Sequence, residues 1–375
     1  MHKKLGILGG GQLARMMLPT CLDWDIDVQI LDQKDCVALR FNRQSPESEG
    51  SFRSPDDMVT QLGQCDVITL DLEAVSIEGM KRLEEKGVLT APHSSVLEII
   101  QNKFLQKEFF KRNNIPTSSY QLLEELDKDT PHGFLKAPTG GYDGKGVCAW
   151  KGNFQDITEV FKKNVLWEEA VEIEKELSVI VVRGFSGETK TYLPTEMVFD
   201  PELNLISYTL YPAQVDRRIQ DQAMSLAQEI AEKIDMVGVL AVEMFIDKKG
   251  DLLINELAPR PHNSGHHTIE SCRSSQFENH LRAVLGLPLG SVDRKRSSDF
   301  SLTFNIIGEG EGEAQWLGIG EALAEDQLYI HNYGKKECRE GRKMGHITLI
   351  DSSLKNLIKR YEWNKNKIRV QGMKK

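Results

Sequence analysis

Two neighbouring stretches decide the fold: Val239-Leu240-Ala241-Val242-Glu243-Met244-Phe245 and Leu252-Leu253-Ile254-Asn255-Glu256, joined through Lys248-Lys249-Gly250-Asp251. Both runs read as core strands, and the turn residues between them make a hairpin. Glu243 and the Asn255-Glu256 pair interrupt these apolar runs, where an unpaired carboxylate is costly to bury. Adjacent strands can set Glu243 against Glu256, and like charges there repel unless a cation bridges them. Magnesium, which takes a few carboxylate oxygens together with substrate phosphates, suits that donor set; acids on the solvent face of an alternating strand are the plainer alternative.

Directly after the hairpin comes Glu256-Leu257-Ala258-Pro259-Arg260-Pro261-His262-Asn263-Ser264-Gly265-His266-His267, a dense set of hydrogen-bonding groups stiffened by prolines. It fits a loop that holds a polar ligand beside the metal, or a capped loop before the helix around Ser275 to Leu285. His262, His266 and His267 come without a separate acidic ligand, which argues against a transition-metal centre. Upstream, Thr139-Gly140-Gly141-Tyr142-Asp143-Gly144-Lys145-Gly146 follows a strand ending at Lys136. Glycines there let N–H groups converge on phosphate oxygens, with Lys136 and Lys145 adding charge, although a strand-to-strand hairpin would also carry them. No Ser or Thr follows the Gly-Lys pair, and no helix, so this is not a Walker A loop. Downstream, Tyr333-Gly334-Lys335-Lys336 and Gly341-Arg342-Lys343-Met344-Gly345-His346 set basic residues between glycines: a candidate anion pocket, or ordinary solvated loop charges.

Around this centre the chain divides into three. Leu5 to Leu8, the turn Gly9-Gly10-Gly11, a helix from Gln12 to Leu18, and strands at Val28 to Leu31 and Asp66 to Leu70 predict a doubly wound parallel-sheet domain over 1–95. Its Gly9 to Ala14 turn with Asp32 matches the dinucleotide fingerprint G-x-G-x-x-[G/A], so an NAD-dependent dehydrogenase is the rival reading. Residues 96–290 predict an α+β module with an antiparallel sheet: one helical stretch from Val96 to Asn113, strands at Glu176 to Arg183 and Thr191 to Val198, and a long helix from Asp221 to Ile234. Residues 291–375 predict a small closing domain with strands at Ser301 to Ile307 and Ile347 to Ile350, after an exposed run Asp293 to Arg296 and before a solvated tail from Lys365.

The 375 residues exceed one compact core, and 40% hydrophobic with 27% charged residues is ordinary for a folded soluble protein. A net charge of −9 argues against a nucleic-acid surface. No apolar run reaches the roughly 20 residues of a membrane span, so a cytoplasmic protein is expected. The six cysteines show no metal-ligand spacing and read as reduced thiols.

Taken together, the motifs at Gly9–Leu13, Gly140–Gly146, Asn255–His266, Ser275-Gln276-Phe277-Glu278, Leu287-Pro288-Leu289-Gly290 and Gly341–His346 resemble the ATP-grasp enzymes. Within them, the chain is similar to the 5-(carboxyamino)imidazole ribonucleotide synthetases of purine biosynthesis. The resemblance implies a pre-ATP-grasp domain, a two-lobed ATP-grasp module with a lid lobe over about 104–170, and a C-terminal domain. It implies a ligase using ATP and magnesium, or manganese, that forms carboxyphosphate from bicarbonate and carboxylates aminoimidazole ribonucleotide, and it suggests a homodimer. By motif matching, Lys103, Lys136, Gly141, Tyr142, Asp143, Gly144, Lys145, Gly146, Val147, Glu168, Glu169, Ala170, Val171, Glu176, Asn255 and Glu256 would contact ATP. Glu243 and Glu256 would hold the metal. Glu73, Tyr142, Asp143, His262, Asn263, Ser264, Lys335 and Arg342 would hold the ribonucleotide, with Lys136, Asn255, Glu256 and Arg342 at the chemistry.

Two departures stand out. Glu196-Met197-Val198-Phe199 lacks the histidine of the Glu-x-x-His segment common in relatives, which motivates a third reading as a non-catalytic nucleotide binder. Asp71 and Ala74 replace a common Glu and a polar residue. A sibling ligase acting on glycinamide ribonucleotide is the nearest rival, and the Arg342–His346 segment favours the aminoimidazole substrate.

Overall fold

The computed structural model describes residues 3–39, 49–126, 130–139, 146–150, 165–199 and 206–373. Its first part alternates β1 (Lys4–Leu8), α1 (Gln12–Asp23), β2 (Asp27–Leu31), α2 (Pro55–Leu62), β3 (Val67–Leu70), α3 (Ile77–Glu85) and β4 (Leu89–Thr90). The four strands are parallel in the order β2-β1-β3-β4. Helices cover both faces, which is why the strands are continuous apolar runs rather than alternating ones. Leu5 and Ile7 face α1 on one side; Leu8 and Leu70 face α2 and α3 on the other. The α1 helix continues through Pro19, beyond the expected end at Leu18.

The helical stretch expected from Val96 to Asn113 is two helices, α4 (Ser94–Gln101) and α5 (Lys103–Arg112). Asn102 between them is extended, and its Oδ1 accepts the N–H groups of Phe104 and Leu105 at 3.0 and 3.1 Å, a side-chain cap that starts α5 afresh. A small antiparallel sheet follows, β5 (Tyr120–Leu122), β6 (Gly133–Lys136), β7 (Val147–Trp150) and β8 (Leu166–Glu169), ordered β5-β8-β6-β7 over Leu135, Trp150 and Trp167.

The large sheet begins with β9 (Ile173–Arg183), β10 (Thr189–Thr191), β11 (Thr195–Phe199), β12 (Ile206–Tyr211), β13 (Gly238–Asp247) and β14 (Leu252–Ala258), with α6 (Arg217–Lys233), α7 (Thr268–Ser271) and α8 (Gln276–Val284) packed on it. The strand expected from Thr191 to Val198 is thus two, β10 and β11, separated at Tyr192-Leu193-Pro194. Strand order runs β14-β13-β9-β11-β12 and continues without a break into β15 (Phe300–Glu309), Thr209 lying opposite Thr303. The C-terminal part adds β16 (Gly312–Leu317), α9 (Ile319–Leu323), β17 (Leu328–Asn332), β18 (Glu337–Cys338), β19 (Lys343–Asp351), α10 (Leu354–Asn364) and β20 (Arg369–Met373). Among the described residues this one sheet has twelve strands. The end of the chain is therefore not a solvated tail: β20 lies between β15 and β16, with Val370 fully buried.

Candidate active site

The hairpin of β13 and β14 sets Glu243 directly opposite Glu256, and Met244 opposite Ile254. Asn255 is the residue left over, a bulge that changes which way the end of β14 aims its side chains. Burial pushes the Glu243 carboxyl up to about 8, with the charges of Glu256 and then Glu176 adding to it. Glu176, beside it on β9, is pushed up to about 7 by burial. Burial thus disfavours charge on Glu243 and Glu176, whereas the Glu256 side chain is 42% exposed. Lys103 Nζ, 3.3 Å from Glu256 Oε2, is one partial compensation, and His262 Nε2 lies 3.4 Å from Glu243 Oε1.

Lys136, at the end of β6, reaches across from the small sheet. Its Nζ is 3.0 Å from Glu168 Oε1 and donates to Asn255 Oδ1 at 3.4 Å, tying the two lobes at the hairpin. Burial works against the Glu168 charge, but Lys136 and Lys107 outweigh it and hold the carboxyl below its ordinary range. The Glu168 side chain is thus committed to lysines. Glu169 and Ala170 are exposed, and Ala170 N–H donates to His132 O. Lys107 was not among the expected site residues. A lysine within a charged helix reads as a surface residue, and only its position one turn after Lys103 hinted otherwise.

Arg260 was missed as well, although it lies inside the motif after Glu256. Its guanidinium pairs with Glu73 through two bonds, Nε to Oε2 and Nη2 to Oε1, the second at 3.2 Å. Burial opposes the Glu73 charge, and Arg260 beside it overcomes this and holds the carboxyl down. His262 Nδ1 lies 2.9 Å from Ser264 Oγ, which is 2.7 Å from Ser178 Oγ on β9, so this loop is pinned to the sheet. His266 and His267 turn inward: His267 stacks on Tyr211 with ring centroids 3.9 Å apart, and His266 packs 4.6 Å from His346.

Lys335 and Arg342 form a second cluster in the loops on either side of β18, with Lys335 Nζ donating to Lys343 O at 2.6 Å and Arg342 Nη1 to Glu337 O at 2.9 Å. His346, on the strand that follows Arg342, stacks 4.4 Å from His331 and packs on His266. These imidazoles join the basic cluster to the loop that follows Glu256. Gly141, Tyr142, Asp143, Gly144 and Lys145 lie outside the described residues; Gly146 and Val147 lead into β7.

The glycine turn does not support dinucleotide binding. Gly10 N–H donates to Asp32 Oδ2 at 2.7 Å, while Gly11 and Ala14 donate to the two oxygens of Asp71 at 3.1 and 2.7 Å. The chain's own carboxylates occupy the amides a pyrophosphate would need. A Cβ on Gly11 would lie 2.4 Å from Asp71 Oδ2, so the glycine serves this close approach. On β11, Glu196 pairs with Lys175 at 2.9 Å and accepts Gln214 N–H at 3.0 Å.

The same division of the chain appears in known families: a ribonucleotide synthetase preATP-grasp domain matches residues 1–101, an ATP-grasp domain 108–277, and a phosphoribosylaminoimidazole carboxylase C-terminal domain 301–360. The N5-carboxyaminoimidazole ribonucleotide synthase of Bacillus subtilis is 34% identical over 92% of this chain and 91% of its own. The chain belongs to the N5-carboxyaminoimidazole ribonucleotide synthetase family. A crystal structure of that synthetase from Thermotoga maritima superposes with a TM-score of 0.89 at 35% identity, covering 99% of this chain and 100% of the other. The synthase of Aspergillus clavatus, solved with ADP and 5-aminoimidazole ribonucleotide, gives 0.84 at 30% identity over 96% and 99%. The chain spans about two thirds of the length of the phosphoribosylaminoimidazole carboxylases it matches, 65% of the chloroplastic one of Vigna aconitifolia.

Proposed function

We propose that this chain carboxylates the exocyclic amine of aminoimidazole ribonucleotide at the expense of ATP and bicarbonate, releasing ADP and phosphate. The observation that carries the reading is the Glu243–Glu256 register pair, faced by Lys103 and by the Lys136–Asn255 bond. It combines carboxylates for a metal with fixed cations for phosphate at one place between two lobes.

Magnesium fits this donor set. The pair supplies only carboxylate oxygen, and burial, with the charge of Glu256 adding to it, raises the Glu243 carboxyl. Magnesium is typically held by one or two carboxylates together with phosphate oxygens and several waters. When bound, the ion would neutralise charge on the triphosphate. Glu243 and Glu256 would hold it, with Asn255 beside them.

The protein's own part is positioning and electrostatics, as phosphoryl transfer requires. Bicarbonate oxygen attacks the γ-phosphorus, the bond to the β-phosphate oxygen breaks, and Lys136 and Lys103 face the charge that develops. The amine nitrogen then bonds to the carbon of carboxyphosphate as its C–O bond to phosphorus-bound oxygen breaks, or to the carbon of CO2 released by that break, and the proton lost from nitrogen leaves with phosphate. Lys335 and Arg342 in the loops beside β18, with His262, Asn263, Ser264 and Glu73, are assigned to the ribonucleotide; Tyr142 and Asp143 are assigned with them from the family motif. Glu176 and the 168–171 segment are assigned to the nucleoside of ATP. Three functional units over 1–95, 96–290 and 291–375, a homodimer and a cytoplasmic location complete the reading; no described helix is long and apolar enough to cross a membrane.

The test is ADP release measured with aminoimidazole ribonucleotide, with and without bicarbonate. Release that depends on both supports the assignment. Release without the ribonucleotide, or with glycinamide ribonucleotide in its place, overturns it.

A further inference from the structure

Beneath Lys136 lies a second ammonium that the reaction as described leaves unused. Lys107 on α5 is 2% exposed. Its Nζ donates to Thr117 Oγ1 at 2.6 Å and Ser118 Oγ at 3.0 Å, and lies 3.1 Å from Glu168 Oε2. Three acceptors satisfy all three of its protons. Ser118 Oγ in turn donates to the same Glu168 oxygen at 3.1 Å, and Thr117 Oγ1 donates to Ile254 O at 2.7 Å, one residue before Asn255. Glu168 therefore divides its two oxygens, Oε2 to Lys107 and Oε1 to Lys136, so that one buried carboxylate serves a buried ammonium and a partly exposed one.

A lone buried cation is expensive, and a buried pair without a third charge would be simpler to build. Burial pushes the Lys107 ammonium down to about 8, with Glu168 opposing that shift and Lys136 adding to it. The charged groups around it are Lys103 on its own helix, Lys136 on β6, Glu168 on β8, and Glu256 on β14 beyond Lys103. A structural lysine would be served by the carboxylate alone. The surplus positive charge makes sense if something anionic arrives on the open side of Lys136.

We propose that Lys107 is a positioning residue for ATP binding: it fixes the Glu168 carboxylate and draws half of its charge, so that Lys136 presents net positive charge to the phosphates instead of being neutralised. This rests on the assignment of Lys136 to ATP. Removing Lys107 would leave Glu168 wholly to Lys136, weakening the cation without touching the nucleotide.

The experiment measures ATP affinity by calorimetry and melting temperature for the wild type, Lys107→Met, Glu168→Gln and the double variant. Lys107→Met is expected to weaken ATP binding about tenfold or more, measured below its melting temperature, which falls because the substitution leaves Glu168, Thr117 and Ser118 without a partner. In the Glu168→Gln background the same substitution is expected to cost less than threefold, because the group through which Lys107 acts is already neutral. Equal losses in both backgrounds, or no loss in either, overturn the inference. Should Lys107→Met fail to fold, Lys107→Gln, which keeps a polar group for Thr117 and Ser118, takes its place in both backgrounds and is read by the same comparison. A wild type that binds no ATP would instead overturn the nucleotide assignment itself.

Discussion

At the scale of residues, the centre of the molecule is a local imbalance of charge: three acids from β9, β13 and β14 on one side, and lysines from α5 and β6 on the other. Substituting Glu256→Gln removes the carboxylate while keeping shape, and ribonucleotide-dependent ADP release is expected to fall by about 100-fold or more in a coupled assay. Glu73→Gln should act differently. It leaves the Arg260 guanidinium without its counter-charge, and since the pair is only partly covered, a loss of about 2 kcal/mol in a urea denaturation curve is expected. Glu243 and Glu256 were legible in the sequence because acids stand out against apolar strands. Lys107 and Arg260 were not, because burial of a cation is a property of the tertiary fold: the helix of Lys107 is charged on several sides, and Arg260 sits in a loop rich in polar groups.

At the scale of elements, capping and pairing decide what the site can do. Asn102 ends one helix and starts the next, and the second begins with Lys103 and carries Lys107. Losing the cap in Asn102→Ala should cost about 1 kcal/mol of stability and, by loosening the first turn of α5, also weaken ATP binding; unchanged nucleotide affinity in that variant would separate the cap from the site. Asn102 is a common cap residue, yet the apolar spacing runs on from Val96 through Phe110, so periodicity alone joined the two helices. The β13–β14 hairpin was readable to within a few residues, but the bulge at Asn255 was not. Its register is fixed by which residue pairs with Glu243, a choice made across strands.

At the scale of the whole molecule, four imidazoles lie in the interior. Burial pushes His267 and His280 down to about 3 and holds His266 and His346 well below their ordinary value. Each is neutral in the fold but binds a proton near pH 6.5 once unfolded. Stability is therefore fully present above that pH and falls as the medium becomes more acidic, by about 1.4 kcal/mol per histidine for each unit well below 6.5. A thermal melt series from pH 7.5 to 5 should show a steep drop, made shallower by His280→Gln if that variant folds. The three-part division and the parallel first sheet followed from the sequence. The continuity of the large sheet did not, because Arg369-Val-Gln-Gly-Met373 is polar enough to pass for a tail, and its partners on β15 and β16 lie far back in the chain. That arrangement sets an order of events during synthesis. β16 leaves the ribosome well before the strand that pairs along it from Glu313 to Leu317, so it waits with an unpaired edge until β20 emerges, an interval in which the half-made sheet is open to edge-to-edge pairing with another chain.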